Sequence, residues 1–490
     1  MAVMGSRPLA AVAIVVVLVL AGCSAGYQTA PEAPEPAEPP ETAEPPADPG
    51  EHLGYYDGYW HNDTFDVDPE DGLTDAEVEA IVDRAMARVQ LIRGLRFDAD
   101  VEVELVTRET FREEYGGITV GNGSDAERAL DNAQHEALFL VGPDEDVVEI
   151  RRDNRGDNVL GFYRPDEGDI VLVSEAVPAT LGDEFTLAHE LHHALQDQRF
   201  GLASLERGTL DGTNARNSLV EGDALVVQQR YERRCETGEW QCIGVESTSG
   251  GGGLGEDFHF GVYYVGFFPY AEGPSFVRYH EERRGWSAVD AMYDDVPTTS
   301  AGVVHPSAYD TDAYGNATVE DRNAASWDRV AADDGGSHAT VGQAGLASMF
   351  AYTLNDEYDT EQSVIDRSAF YNTEDGRLDP ERPFTYDIRY AEGWYADRLH
   401  AYRQDGETAY VWNVTFDDAA NATEFERGHE QILEYWGGQR RTTGDGVVWT
   451  FEEGPFDGAV WVRRDGRSLT VVKAPSVEAL DAVYAPAPKP

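Results

Sequence analysis

The spacing of apolar and polar residues predicts helices separated by short strands through the first half of the chain. After Thr74, apolar residues recur every three or four positions, and Glu77 completes a capping box with Thr74, so a helix is predicted to run to about Gly94. Alternating or short apolar runs between turn residues predict strands instead. Further helices are predicted at about 180–199, 213–234 and 274–293, and strands at 101–106, 138–141, 159–163 and 169–174.

The pattern changes after Gly342. A short helix there leads into two strands, a helix, three strands and a last short helix, an order of ββαβββα that is typical of a separate α+β domain. Both halves of the chain mix helices with strands, so the predicted fold class is α+β. The C-terminal strands are predicted near 397–403, 410–416, 447–452, 459–464 and 468–473, and the helices at about 420–435 and from Val477.

The N-terminus is typical of an exported protein. Residues 9–21 form an apolar run that is short for a membrane span but suits the hydrophobic region of a signal peptide. The run ends in "LAGC", which resembles the lipobox of secreted lipoproteins and predicts lipidation of Cys23; a plain secretory signal and an uncleaved anchor are the alternatives. The predicted segments are a signal peptide (1–22), a Pro/Glu-rich tether (23–52), a first folded domain (53–338) and a C-terminal accessory domain (339–490).

Strong acidity narrows the classes of partner. The net charge is −55, and 35 of the 37 basic residues are arginine, leaving Lys473 and Lys489. A hydrophobic content of 41% favours a folded core over disorder. Because molar salt screens charges beyond about 3 Å, the composition indicates adaptation to high salt and fits a halophilic archaeon. It also argues against a nucleic-acid partner, which requires a cationic surface.

Besides Cys23, the chain has two cysteines, Cys235 and Cys242. Six residues separate them, and thiols this close pair readily in an oxidising compartment. A disulfide is therefore predicted for an exported chain, with two free thiols as the alternative.

The stretch "HELHH" at 189–193 matches the pattern H-E-x-x-H. A helix turns about 100° per residue, so His189 and His193 lie on one face, one turn apart. Glu190 lies about 60° from His193 but about 160° from His192, so only the His189–His193 pair keeps the carboxylate beside a shared ion. The pattern predicts His189 and His193 as Zn²⁺ ligands and Glu190 as the general base that deprotonates a bound water. A core helix with structural histidines is the alternative.

The third ligand has to come from another segment. Glu221 follows a helical apolar pattern, so its carboxylate is predicted to point into packed structure, where a metal would give it a partner. Gly222 beside it allows another element to come close. Asp223 and His305 are the alternative ligands.

Asp197 follows His193 by four residues, on the same predicted helical face. It is predicted to accept the second ring N–H of a metal-bound histidine. The alternative is an ordinary solvated carboxylate.

The H-E-x-x-H pattern with a downstream helical glutamate resembles the gluzincin zinc metallopeptidases, to which thermolysin belongs. "HELHHALQD" is similar to the active-site helix of that class, including the aspartate. Two features depart from it: the interval from His193 to Glu221 is longer, and Leu225 stands where the class places a supporting aspartate.

A second resemblance covers most of the chain after the tether. "GFYRPDEG", "LAHELHHALQDQRF", "LVEGDA", "PYAEGPSFV", "GWSAV", "VVHPSAY" and "EGWYADRL" are similar to a little-characterised family of H-E-x-x-H proteins that includes haloarchaeal surface lipoproteins. Ala301 stands where those relatives carry a glutamate. The resemblance implies a zincin-like peptidase core, with a mixed sheet and an active-site helix, followed by an accessory domain.

Two further features complete the predicted site. His305 is predicted to stabilise the oxyanion formed when water attacks a peptide carbonyl, with Tyr263, Tyr264, Tyr309 and a structural loop histidine as alternatives. By analogy with the fold, the strand at 169–174 is predicted to pair with an extended substrate.

The sequence therefore predicts an extracellular zinc metallopeptidase that acts on polypeptides and is held on the membrane through a lipid at Cys23. Two other interpretations remain open: a catalytically inactive zincin-fold surface or adhesion protein, and a solute-binding lipoprotein. Loss of Glu190 or of a ligand would indicate the first, and absence of a tightly bound metal would indicate the second.

Overall fold

The computed structural model describes residues 52–67, 73–115, 123–156, 159–205, 208–243, 258–309, 311, 313–331, 338–356, 362–374, 376–379, 382–444, 446–452 and 454–488. The predicted signal peptide, Cys23 and nearly all of the predicted tether lie outside the described residues. Within the described ranges, no helix combines the length and the apolar character needed to cross a bilayer.

Helices and strands both build the structure, and the fold is α+β. The helices are α1 (Asp75–Arg93), α2 (Arg108–Thr110), α3 (Asp125–Ala137), α4 (Val147–Gly156), α5 (Glu184–Phe200), α6 (Leu210–Glu236), α7 (Phe260–Arg284), α8 (Trp286–Met292), α9 (Ser300–Val304), α10 (Gly342–Tyr352), α11 (Ala419–Tyr435) and α12 (Leu480–Val483). The strands are β1 (Tyr55–Tyr56), β2 (Tyr59–Trp60), β3 (Glu102–Thr107), β4 (Gly161–Arg164), β5 (Asp169–Ser174), β6 (Asp328–Arg329), β7 (Thr373–Glu374), β8 (Arg377–Leu378), β9 (Trp394–Gln404), β10 (Glu407–Phe416), β11 (Gln439–Thr443), β12 (Gly446–Phe451), β13 (Gly458–Asp465) and β14 (Ser468–Ala474).

A small mixed sheet supports the H-E-x-x-H helix, α5. Its strand order is β3-β5-β4, with β3 parallel to β5 and β4 antiparallel to it, so the predicted hairpin is present. Successive side chains of β5 point to opposite faces. Ile170 and Leu172 join the core formed with α1 and α5, whereas Val171 and Val173 pack with Phe111 on the other face. Helix α5 is therefore seated on a sheet that is covered on both sides.

Helices α6 and α7 come into close backbone contact beside Glu221. A Cβ atom added to Gly222 would lie 2.4 Å from the backbone of Gly273, closer than any real side chain is found. The two glycines therefore let these helices approach where a larger residue would force them apart. The close approach predicted at Gly222 is present.

The C-terminal half is built on an antiparallel sheet with strand order β11-β12-β13-β14-β10-β9-β6. The predicted ββαβββα order lacks one strand, β11, whose sequence "QRRTT" has no apolar alternation. The main hydrophobic core runs from α3 and α7 into this sheet without a break, and β6 joins the sheet ahead of the predicted boundary at residue 339.

The predicted strand at 138–141 is wrong. These residues form a fully buried turn that follows α3, in which Phe139 has a positive φ of 53°. A run of four apolar residues reports burial but has no period, so it cannot separate a strand from a buried turn. The capping box of Ser124 and Glu127 marks the start of α3, a helix absent from the predicted elements.

Cys235 and Cys242 form a disulfide, with their Cα atoms 5.7 Å apart. The bridge closes the turn that follows α6. Trp240, inside this loop, packs edge-on against Tyr231 of α6.

His429 on α11 is a fully buried titratable group in the C-terminal core. Its ring stacks on Phe425 at a centroid distance of 5.6 Å and meets Phe139 edge-on at 6.2 Å. Among the described residues, neither ring nitrogen has a hydrogen-bond partner. Burial without a compensating charge lowers the pKa of His429 to about 4.

Replacing His429 with phenylalanine is expected to reduce the loss of stability in acid. Because the pKa is about 6.5 in the unfolded chain and about 4 in the folded one, the unfolded chain binds more protons between these values. Stability should therefore fall as the pH drops from 6.5 to 4, by about 3 kcal/mol from this group alone. Thermal unfolding of wild type and H429F at pH 7 and pH 4.5, in constant salt, measures the difference. An equal drop in Tm for both proteins would contradict this assignment.

Candidate functional site

The first layer of the candidate site consists of His189, His193 and Glu221. The two histidines lie one turn apart on α5, and Glu221 faces them from α6. Their Nε2 atoms are 3.1 Å apart, and Oε2 of Glu221 lies 3.4 Å from each of them. Within the described residues, these three form the histidine–carboxylate group close enough to share one metal ion.

Two glutamines fix which ring nitrogen of each histidine carries the proton. Nδ1 of His189 lies 3.0 Å from Oε1 of Gln228, and Nδ1 of His193 lies 2.7 Å from Oε1 of Gln196. The amide nitrogen of Gln228 donates to Glu232, so its oxygen must face His189. Each Nδ1 therefore donates, and each Nε2 presents a lone pair to the centre of the site.

Gln196 is oriented by two independent acceptors. Its amide nitrogen donates to the carbonyl oxygen of Val220 and to the hydroxyl of Tyr293, at 2.8 and 2.7 Å. The amide oxygen is thus turned toward His193. The backbone acceptor precedes Glu221, so one side chain links the ligands of the two helices.

The converging donor set fits a divalent cation. Two lone pairs and a carboxylate oxygen within 3.4 Å of one another repel unless a positive charge lies among them. Oε2 of Glu221 is buried and has no hydrogen-bond partner among the described residues. Two imidazoles and one carboxylate are a ligand set that Zn²⁺ takes in catalytic sites, with a position left for water.

The pKa shifts in the cluster also favour a bound cation. Burial raises the pKa of Glu221, but the two histidines outweigh it and hold that pKa far below its usual range. Burial lowers the pKa of His193, but the Glu221 carboxylate outweighs burial and raises it to about 9. The pocket thus favours positive charge beside Glu221, supplied either by a proton or by a metal.

Glu190 lies on the flank of this cluster, toward β4. It is buried, and its carboxylate accepts a hydrogen bond from the backbone N–H of Tyr163. A Cβ atom added to Gly161 would come within 3.2 Å of Glu190 Cγ, so the bare glycine leaves room for the carboxylate beside the strand. Burial raises the pKa of Glu190, which suits a group that takes up and releases a proton.

The start of α5 is anchored by buried charges. Asp183 caps the helix by accepting the N–H groups of residues 185 and 186. Glu184, the first helical residue, forms ion pairs with Arg84 and Arg88 of α1, at 2.6 and 2.8 Å. All three side chains are fully buried, so α1 fixes the position from which the histidines project.

His192 and Asp223 belong to a second buried network behind the site. Nε2 of His192 lies 3.2 Å from Oδ1 of Asp223, and Arg93 donates to both oxygens of that carboxylate. The hydroxyl of Tyr293 also donates to Asp223. Asp223 is therefore engaged away from the cluster, and His192 lies outside the first layer, as the helical angles predict.

The role predicted for Asp197 is wrong. Its carboxylate accepts hydrogen bonds from the hydroxyl of Tyr163 and the backbone N–H of Leu202. It secures the end of α5 and the loop that follows. The ring N–H groups of both histidines instead donate to glutamines. The His193 ring faces Gln196 rather than Asp197.

His305 ends the short helix α9 and is about 40% exposed. Its Nε2 lies 3.9 Å from the carboxylate of Asp387, and the structure does not bring it into the histidine–glutamate group. Of the alternative donors, the hydroxyl of Tyr309 donates to the carbonyl oxygen of Asp295, and that of Tyr264 receives a hydrogen bond from Asn355.

Two residues that the sequence analysis missed approach Glu221. The Tyr270 residue is about 36% exposed, but its hydroxyl is withdrawn from solvent beside Glu221. Burial of the hydroxyl, followed by the charge of Glu221, raises its pKa, and a hydrogen bond to the Glu221 carboxylate adds to the rise. Arg155, at the end of α4, acts electrostatically on both groups. Tyr270 lies in "PYAEGPSFV", one of the segments similar to the H-E-x-x-H family, so the sequence did mark it as a candidate. Nothing in the sequence marks Arg155, which lies in α4, a helix that the apolar spacing does not predict.

The prediction that the strand at 169–174 pairs with an extended substrate is also wrong. β5 lies between β3 and β4 and is paired on both edges. The edge strand beside α5 is β4, next to Glu190. Of the two edge strands among the described residues, β3 and β4, an extended chain added to β4 would lie beside Glu190.

A surface cavity of about 310 Å³ is lined in part by Val220, which precedes Glu221 in the sequence. It lies between the turn that joins β4 to β5, the loop after α5, and the first half of α6. Its lining residues are Pro165, Asp166, Leu202, Ala203, Leu205, Arg216, Asn217 and Val220.

Comparison with known proteins gives one family match. Residues 328–484 match a model described as a domain of unknown function (DUF8575). The match covers the C-terminal sheet and lies outside the histidine–glutamate cluster. The comparison with curated proteins gave no match, and neither did the comparison with solved structures.

Proposed function

We propose that this chain is a zinc-dependent metallopeptidase with a zincin-like core. The observation that carries the proposal is the convergence of two oriented imidazole lone pairs on Oε2 of Glu221, with the buried Glu190 carboxylate alongside. This oxygen is buried and has no hydrogen-bond partner in the described part of the chain. Histidines with a purely structural role would not need to turn two Nε2 lone pairs toward each other and toward a carboxylate oxygen. The same geometry gives the solute-binding interpretation no support.

His189, His193 and Glu221 would hold the ion. Bound zinc supplies Lewis-acid activation of a water molecule and of the substrate carbonyl. Glu190 takes the proton of the attacking water and delivers it to the leaving amine, a role that its burial favours. The hydrogen bond from the backbone N–H of Tyr163 holds this carboxylate in place through both transfers.

The surroundings suit an extended polypeptide. The outer edge of β4, which pairs with no other described strand, can pair with a peptide backbone and present its carbonyl beside Glu190. The cavity at Val220 can receive one side chain of that peptide. Tyr270, whose hydroxyl is hydrogen-bonded to the Glu221 carboxylate, would stabilise the oxyanion in place of His305, and Arg155 would add positive charge.

The proposal includes the location of the enzyme. The lipobox-like "LAGC" ending at Cys23 and the acidic tether support attachment to the outer face of a membrane by a lipid. The C-terminal sheet would be an accessory unit packed on the catalytic half.

Metal removal tests the proposal directly. The chain, purified at high salt, is expected to carry one zinc ion per molecule, to lose peptide hydrolysis after dialysis against a chelator, and to regain it when zinc is added. Elemental analysis and cleavage of an unfolded protein such as casein provide the two measurements. Zinc without hydrolysis would instead favour an inactive zincin fold, and absence of bound zinc would favour a solute-binding lipoprotein.

A further inference from the structure

Lys473 occupies an unusual position for a chain with so little lysine. Its side chain runs inward from β14 and contacts Oε1 of Glu136 at the end of α3. Each side chain is only 7% exposed. The contact joins parts of the chain that are far apart in sequence, the helical first half and the C-terminal sheet.

A buried ion pair does not by itself require lysine here. Arginine supplies 35 of the 37 basic residues, and its planar guanidinium satisfies a buried carboxylate with two parallel hydrogen bonds, as Arg93 does with Asp223. Despite the contact with Lys473, Oε1 of Glu136 has no hydrogen-bond partner among the described residues. This oxygen thus lacks a hydrogen bond of the kind that normally offsets the burial of a charge. Lysine differs from arginine in carrying a primary amine that becomes a nucleophile when it is neutral.

The surroundings favour the uncharged form of Glu136. Burial raises the pKa of Glu136, and the nearby carboxylate of Asp457 raises it further, although Lys473 opposes both. Asp457 is exposed and directly precedes Gly458, whose Cβ position lies 3.5 Å from Lys473 Cε. A buried amine, a buried carboxyl group and a carboxylate on the solvent side therefore lie together.

We propose that Lys473 and Glu136 condense to an intramolecular amide bond, with Asp457 carrying the proton. The ammonium first passes a proton to the Glu136 carboxylate, giving a neutral amine and a carboxylic acid. Nζ then attacks Cδ, and a C–N bond forms. Asp457 takes a proton from the nitrogen and gives it to the hydroxyl group, whose C–O bond breaks. One water leaves toward solvent, and no oxidant, metal or co-reactant is needed.

The bond would tie α3 covalently to the last strand of the sheet. It is independent of the proposed peptidase activity, because none of the three residues touches the histidine–glutamate cluster. Its effect would be mechanical, since the two halves could not separate even if the packing between them opened.

Peptide mapping of the full chain tests the bond. Trypsin cuts after Arg128, Arg151 and Arg467, and in an unlinked chain also after Lys473. We expect mass spectrometry of the denatured digest to show 129–151 joined to 468–490, with a mass one water below the sum and no cut at Lys473. Recovery of 129–151 and 468–473 as separate, full-mass peptides from folded wild-type protein would overturn the proposal.

Three variants identify the reacting groups. Lys473→Arg keeps the charge but cannot form the amide, so both peptides should be linear. Glu136→Ala removes the carbon that Nζ attacks, so both peptides should again be linear. Asp457→Asn keeps both reactants and should leave most of the pair unlinked; full linkage in this variant would remove Asp457 from the proposed step.

Discussion

Replacing Glu190 with glutamine should abolish most peptide hydrolysis while leaving zinc in place. Glutamine has nearly the same shape and can still lie beside β4, but it cannot take a proton from water. Loss of a positioned general base lowers the rate by about 10²–10⁴-fold. Because Glu190 is not one of the converging ligands, the metal content should remain one per chain. The measurement is kcat/KM on a fluorogenic peptide, with elemental analysis of the same sample.

A matched control separates this effect from a general change in charge. Glu167→Gln removes one carboxylate from the exposed turn between β4 and β5 and should leave activity within about twofold, as is usual for changes away from a site. A Glu190→Gln protein that keeps wild-type activity would show that another group handles the proton. A protein that loses zinc would show that Glu190 helps to hold the ion.

The sequence predicts most accurately the elements that carry their own local signals. The capping box of Thr74 and Glu77 locates the start of α1, and Gly94 ends that helix in the left-handed conformation. Helix α5 begins at Glu184, later than predicted, because the side chain of Asp183 accepts the first free N–H groups. In both helices the side chain of a single residue decides the boundary.

Other elements are decided by their surroundings. Helix α7 is buried for much of its circumference, so it has no apolar stripe, and Pro269 and Pro274 within it favour a later start. It nevertheless begins at Phe260, because the core formed with α6 and α10 outweighs the cost of two prolines. Sequence periodicity cannot report a helix that contacts protein on every side.

The candidate site likewise contains residues that the sequence relates to one another and residues that only tertiary packing brings together. His189, Glu190 and His193 share one helix, so a fixed angle per residue is enough to relate them. Their supporting groups come from other segments, and their identity depends on tertiary packing. Gln228 is an example: nothing in the sequence connects it with His189, yet it fixes the tautomer of that ring. The same limit applies to Tyr270, because no local pattern relates it to Glu221.

Replacing Glu221 with alanine should remove the metal itself. The side chain supplies the only carboxylate oxygen among the three converging atoms, and that oxygen has no other hydrogen-bond partner among the described residues. Without it, the two imidazoles face a gap that water can fill but that carries no negative charge. We expect zinc affinity to fall by more than about 100-fold, beyond the 10–100-fold typical of a supporting residue. Competition with a fluorescent chelator measures the affinity directly.

Two comparisons make this result specific. Gln196→Leu leaves all three ligands but frees the His193 ring, so its loss of affinity should stay within the range of about 10–100-fold. Glu236→Ala changes the same residue type at the exposed end of α6 and should not alter binding. If Glu221→Ala bound zinc as tightly as Glu236→Ala, the third ligand would have to be sought elsewhere.

Asp223 is a poor substitute, since Arg93, His192 and Tyr293 already surround its carboxylate. A zinc affinity that falls stepwise from Glu236→Ala to Gln196→Leu to Glu221→Ala would show that Glu221 binds the ion and that Gln196 orients a ligand.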